Sequence, residues 1–193
     1  MSSIVISGDT SGAVTVSAPA IAGSNTLTLQ AATATNAVNT LSTAVSVSGT
    51  SVEFTSIPSW VKRMTVLFVG VSTNSTNVYQ VQLGSGSYTI SGYAGGFVTF
   101  GGTAANMSTG FSIANNVLAA NLHHGAILIT NVTGNTWSEF GNIAHSSASN
   151  ILTASAGSIA LGGTLDRLRI IASSTGNPAD TFDAGTINLL LEG

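Results

Sequence analysis

The sequence predicts an all-β protein: a jelly-roll-like β-sandwich from about residue 50 to the end, preceded by an extended N-terminal β arm. Three observations predict it. Short runs that alternate apolar and polar residues recur along the chain, separated by clusters of Gly, Asn and Ser. No stretch sustains an apolar period of 3.6, and Asn115 to His123 is the one plausible helical turn. The 193 residues are 44% hydrophobic, enough for a core without staples, yet only 6% are charged. The surface must therefore be built from Ser, Thr, Asn, Gly and Ala.

The densest run of large apolar side chains is Phe54 to Val71, which holds one of the two tryptophans and two of the four basic residues. Within it Met64, Val66 and Phe68 alternate with Arg63, Thr65 and Leu67. Side chains along a strand point to opposite faces with period two, and both sets carry bulk. This is the pattern of a strand covered on both sides, or covered on one and lodged against a neighbour on the other. Pro58 cannot donate to a ladder, so pairing should begin just after it.

Residues 1–49 read as the arm. Ser3–Ile6 is a short β-prone run, and Ser7–Gly12 is a turn cluster. Ala13–Ser17 alternates, with Val14 and Val16 on one side; Asn25–Leu29 does the same with Leu27 and Leu29. Such thin strands bury too little area to stand alone. Val14, Val16, Leu27 and Leu29 are therefore the candidate attachment residues, acting by strand addition and apolar contact. Residues 31–39, rich in Ala, Thr and Asn, read as a linker or weak strand, with the domain boundary at about 48–50.

The sandwich strands are expected at Val61–Val71, Val78–Leu83, Tyr88–Ser91, Gly96–Phe100 and Gly110–Ile113. They continue at Gly125–Val132, Thr136–Ile143, Gly157–Leu161, Leu165–Ile171 and Thr186–Leu191. Thr73–Asn77, Gly84–Gly86, Asn131–Asn135 and Ser173–Pro178 supply the turns. The last strand places Ile187, Leu189 and Leu191 on one face and should be interior, paired on both sides.

Composition excludes several functions. The net charge of −3, with four Lys and Arg in two separate pairs, makes no basic stripe for nucleic acid. No run reaches the ~18 apolar residues of a membrane span. With no Cys there is neither a disulfide, a thiolate metal site nor a Cys nucleophile. The first residues lack a basic region followed by a long apolar one, so synthesis in a cytoplasm without a secretory leader is expected. Weak charge brings weak self-repulsion, which favours an assembly over a lone monomer.

No residue pattern demands catalysis, and no cofactor or metal is expected. His123 and His124 are adjacent, so in a strand they face opposite ways and cannot together join His145 on one ion; surface or interface histidines are expected instead. Asp166 neighbours Arg167 and Arg169, while Asp180 and Asp183 flank a turn where Asp commonly caps backbone. Gly84-Ser-Gly86 is too short for a nucleophile elbow, and the paired glycines lack the Lys-Ser/Thr of a phosphate loop. Tyr79, Tyr88 and Tyr93 could stack on a sugar from a sandwich face; core packing of Trp60 and Trp137, with tyrosines at the rim, is the alternative.

Two stretches carry a resemblance. Ile6–Leu29 resembles a segment at the start of many tail-fibre and other virion structural proteins of tailed bacteriophages. Phe54–Phe68, Gly163–Ile170 and Asp180–Asn188 resemble a domain often found behind that segment. The resemblance implies a non-enzymatic virion component: a first part that attaches to the particle, and a β-rich, usually trimeric, outward module. It implies as partners the chain itself as a homotrimer and other virion proteins; a host surface glycan is the further partner that Tyr79, Tyr88 and Tyr93 could take. The chain lacks a long shaft, which points to a compact appendage or a capsid-decorating or head-fibre protein as the alternative to a full fibre. A carbohydrate-binding module is the second alternative.

Overall fold

The structure, a computed structural model, describes residues 3–7, 13–17, 39–113, 118–119, 121–146 and 151–193. Internal contacts divide the chain into two units, Met1–Asn36 and Ala37–Gly193. In the first unit β1 (Ser3–Ser7) and β2 (Ala13–Ser17) form an antiparallel pair, with Ile4 opposite Val16 and Ile6 opposite Val14. Their pairing follows from two β-prone runs flanking the turn cluster. Leu27 and Leu29 lie outside the described residues.

The second unit begins its strands with β3 (Asn39–Leu41), β4 (Val45–Ser46), β5 (Ser51–Thr55), β6 (Arg63–Thr73), β7 (Gln80–Ser85), β8 (Ser87–Tyr88) and β9 (Ala94–Thr99). It continues with β10 (Ala105–Asn106), β11 (Phe111–Ser112), β12 (Leu122–Thr133), β13 (Thr136–Ser146), β14 (Ile151–Ala160), β15 (Arg167–Ile171) and β16 (Phe182–Glu192). Among the described residues there is no helix. Of the expected helical turn, 115–117 and 120 lie outside the described residues, and Leu122 and His123 belong to β12. Leu122 pairs with Ser146, and His123 with His145 and Val71, so the end of that stretch is held by strand pairing.

Two antiparallel sheets make a β-sandwich. The larger runs β10-β9-β14-β13-β12-β6-β16-β3, with β4 also on β16; the smaller runs β11-β7-β15-β5, with β8 on β7. Sheet pairing begins earlier than the boundary read near residue 49. Leu41 stands opposite Leu190 and Val45 opposite Ile187, so 39–46 are edge strands of the large sheet. Strands of two or three residues carry too little periodicity to be read in sequence.

β6 is flanked by β12 and β16 on its two edges. Its inward set, Met64, Val66 and Phe68, is buried, while Thr65 and Leu67 on the other face are half-buried and Val69 is exposed. Among the described residues β6 is covered on one face only and paired on both edges; nothing lies against its outward face, where either sequence reading expected cover or a neighbour. Ile127, Ile129, Ile187 and Leu189 join this layer, and Val81, Leu83, Leu168 and Ile170 of the small sheet close it from the other side.

A bulge then changes which residues of β6 face the core. Between Phe68 and Val71 β6 advances three residues, while β12 advances two, from Gly125 to His123. Gly70 takes the left-handed conformation this requires, with φ of 63°. Beyond it the odd-numbered Val71 and Thr73 are buried in the core. Gly185 of β16 fits against the bulge with φ of 103°, and a Cβ there would meet the Gly70 carbonyl and sit 2.5 Å from the Val71 Cα. Gly185→Ala should therefore lower stability by at least about 2 kcal/mol, from backbone strain plus the clash. The reading is the urea midpoint at unchanged slope; an unshifted midpoint would show that the bulge relaxes freely.

Candidate functional site

The bulge and the hairpin between β12 and β13 bring together two histidines far apart in sequence. His123 and His145 each lie eleven residues from Gly134, at the hairpin turn, and are direct cross-strand partners. His123 also pairs with Val71, the first inward residue after the bulge. Against the expectation of surface or interface histidines, both imidazoles are buried, because strand parity turns them into the core, with centroids 5.5 Å apart and planes tilted by 57°. The Tyr79 ring meets His123 edge-on at 5.1 Å and Phe182 at 6.1 Å.

The polar atoms of this group are poorly served. His123 Nδ1 lies 3.1 Å from the Val71 carbonyl, which can only accept, so Nδ1 carries the proton and Nε2 keeps a lone pair. Nε2 of His123, both ring nitrogens of His145 and the Tyr79 hydroxyl are buried without a hydrogen-bond partner. Leaving one such group unpaired costs about 1–3 kcal/mol, so four on three neighbouring rings demand a physical reason. Burial pushes the His123 imidazolium down to about 4, against the Val71 carbonyl; it also lowers His145 and raises the Tyr79 phenol well above its usual range. The two imidazoles are therefore neutral at pH 7.

His124 points the other way, as adjacent strand residues must. It is exposed, and its Nδ1 accepts a hydrogen bond from the Gly70 N–H at 3.2 Å, capping the bulge. The reading that His123 and His124 cannot share an ion stands on this geometry. What it missed is the His123–His145 pair, which their equal distance from Gly134 could have signalled.

A second buried polar group lies on the same inward face of β13. Glu139 is buried and its Oε1 accepts a hydrogen bond from the Ser155 hydroxyl at 2.7 Å, while Oε2 has no partner. Burial pushes its carboxyl up to about 7, with the Ser155 hydrogen bond opposing. Period two alone places Glu139 on the side of Trp137 and Ile143.

The tyrosine platform requires correction. Tyr79 is 0% and Tyr93 5% exposed, so neither ring can stack on a sugar. Tyr93 packs edge-on against Phe111 at 4.9 Å, and its hydroxyl accepts from the Leu83 N–H at 2.8 Å. A Tyr with its hydroxyl satisfied by backbone is as good a core residue as Phe, and this outweighs its taste for a rim. Only Tyr88 is half-exposed, and its face is covered by the guanidinium of Arg169, 4.3 Å from the ring centroid. Trp137 is buried as the packing alternative has it, while Trp60 sits at the boundary, 36% exposed.

The other candidates serve structure. Asp166 pairs with Arg167 at 2.7 Å and accepts from the Gly86 N–H, which together hold its carboxyl low. Asp180 accepts from the side chains of Asn77 and Asn177, and Asp183 from Ser72. Val14 and Val16 lie on β2, but their side chains are outside the described residues. Among the described residues no three His, Cys, Asp or Glu side chains converge as metal ligands. Comparison with protein families, with curated proteins and with solved structures finds no match to this chain.

Proposed function

We propose that the chain is a non-enzymatic structural protein of a tailed-bacteriophage particle, a tail-fibre-type or appendage component. In this reading the sandwich assembles with copies of itself as a trimer, and the N-terminal unit attaches it to the particle. The resemblance of Ile6–Leu29 and Phe54–Phe68 supplies the particle; the capsid-decorating address remains its alternative. The observation that carries the assembly is the outward face of the large sheet.

On that face two full rows run across six strands without a charge. One is Leu190, Thr65, Leu128, Phe140, Ala156 and Gly96; the next is Asn188, Leu67, Ala126, Asn142, Ala154 and Val98. Phe140, at the middle, is 56% exposed. At the end of the face Arg63 and Glu192 neutralise one another through a two-pronged ion pair. The outer side of the small sheet differs, since it carries Glu53, Arg167 and Arg169 around Tyr88. Six strands about 4.8 Å apart and about 34 Å long offer on the order of 900 Å², close to what one partner contributes to a stable interface. A face of that size whose two central rows carry no charge is a liability on a monomer and an asset in a closed assembly.

Sedimentation of the full chain is expected to give a trimer, and Phe140→Glu a folded monomer that melts lower only by the stability the assembly supplied, because Phe140 is not in the core. A chain beginning at Ala37 is expected to trimerise but to be missing from purified particles that incorporate the full chain. A full chain that stays monomeric at high concentration and is absent from particles overturns the reading.

A further inference from the structure

We propose that His123 and His145, with Tyr79 beside them, bind a divalent transition-metal ion of the zinc class inside the sandwich. This is independent of the virion reading and rests on the core alone. The Val71 carbonyl already holds the Nδ1–H of His123, leaving Nε2 as a bare lone pair. That is the arrangement by which ligating histidines are oriented from behind. His145 offers two further unpartnered nitrogens, and Tyr79 an unpartnered hydroxyl, all in side chains at most 2% exposed.

The spacing suits one ion. Two imidazoles bound at about 2.0–2.1 Å around a tetrahedral centre have ring centroids about 5 Å apart. The observed separation is 5.5 Å. Nitrogen donors select zinc, nickel or copper(II) over calcium and magnesium, which take oxygen ligands. With no third His or carboxylate converging among the described residues, water completes the shell, and Tyr79, whose ring meets His123 edge-on, brings an unpartnered hydroxyl to the same part of the core. Such an ion would tie the paired ends of β12 and β13 to Tyr79, which leads into β7.

The test uses the full chain without an affinity tag, dialysed against Zn2+. Uptake of one ion per chain and a raised melting temperature are expected. His145→Ala should weaken binding at least about a hundredfold, as loss of one of two protein ligands implies. His124→Ala, on the opposite face, should leave the stoichiometry at one. Should His145→Ala fail to fold, the Co2+-loaded wild-type chain decides: visible d–d absorption of a low-coordinate nitrogen site, with anomalous scattering between His123 and His145, supports the proposal. No uptake, binding unaffected by His145→Ala, or anomalous density elsewhere overturns it, as does an ordered water between the rings in Zn2+-soaked crystals.

Discussion

A chain that ends at Ile187 does not fold. The six residues removed are the second half of β16, which lies between β6 and the edge strands β3 and β4. They carry Leu189, 1% exposed, and Leu191, which packs against the same core. They also carry the backbone bonds that tie Ser42 to the Leu189 carbonyl and Lys62 to the Glu192 carbonyl, each at 2.8 Å. Emptying the site of one buried Leu costs about 2–5 kcal/mol. Losing two, and uncovering the edge of β6, exceeds much of the roughly 5–15 kcal/mol that a domain has in total. Point changes separate the faces: Leu189→Ala should cost about 2–5 kcal/mol, and the neighbouring outward Leu190→Ala less than about 1 kcal/mol. Circular dichroism and urea melting measure both. A truncated chain that stays soluble with unchanged melting would show that β16 is dispensable.

The second large effect is hidden in the wild-type protein by cancellation. Glu139 has its folded pKa raised from 4.5 to about 7, chiefly by burial. Its contribution is full below pH 4.5 and is lost as pH rises through 7. His123 has its folded pKa lowered from 6.5 to about 4, again chiefly by burial. Its contribution is full above pH 6.5 and is lost as pH falls through 4. At 1.36 kcal/mol per pH unit each amounts to about 3 kcal/mol. Between pH 4.5 and 6.5 the two slopes have opposite sign and similar size, and His145, lowered by the same cause, adds to the His123 side. The wild-type urea midpoint should therefore vary little across that window. Glu139→Gln unmasks the histidines, so stability climbs with pH there, and at pH 8 the variant exceeds wild type by up to about 3 kcal/mol. His123→Phe, which keeps an aromatic ring beside Tyr79, unmasks Glu139, so stability falls as pH rises. A steep wild-type profile unchanged by either substitution would refute the assignment of these groups.

Much of the scaffold was legible before any coordinate. Period-two alternation located most sandwich strands within a few residues, and it put Met64, Val66 and Phe68 on one face of β6 and Ile187, Leu189 and Leu191 on one face of β16, without saying which face of β6 is inward. It works because a strand's side chains alternate by covalent geometry, wherever the strand lies. The rare charges likewise pointed to a neutral exterior, and the outward face around Phe140 is one continuous piece of it.

What alternation could not supply is parity after an irregularity, or the identity of a neighbour across the sheet. The bulge at Gly70 inserts one residue, and from there inward and outward exchange places on β6, so Val71 rather than Gly70 meets His123. Tyr79 and Tyr93 were misplaced at a rim because their hydroxyls look polar in sequence. Only the assembled core shows one hydroxyl satisfied by Leu83 and the other left beside two histidines. By itself the sequence determined which side chains must leave water. Tertiary structure alone decided which buried polar groups meet, because strand pairing and a single bulge join residues that no local pattern connects.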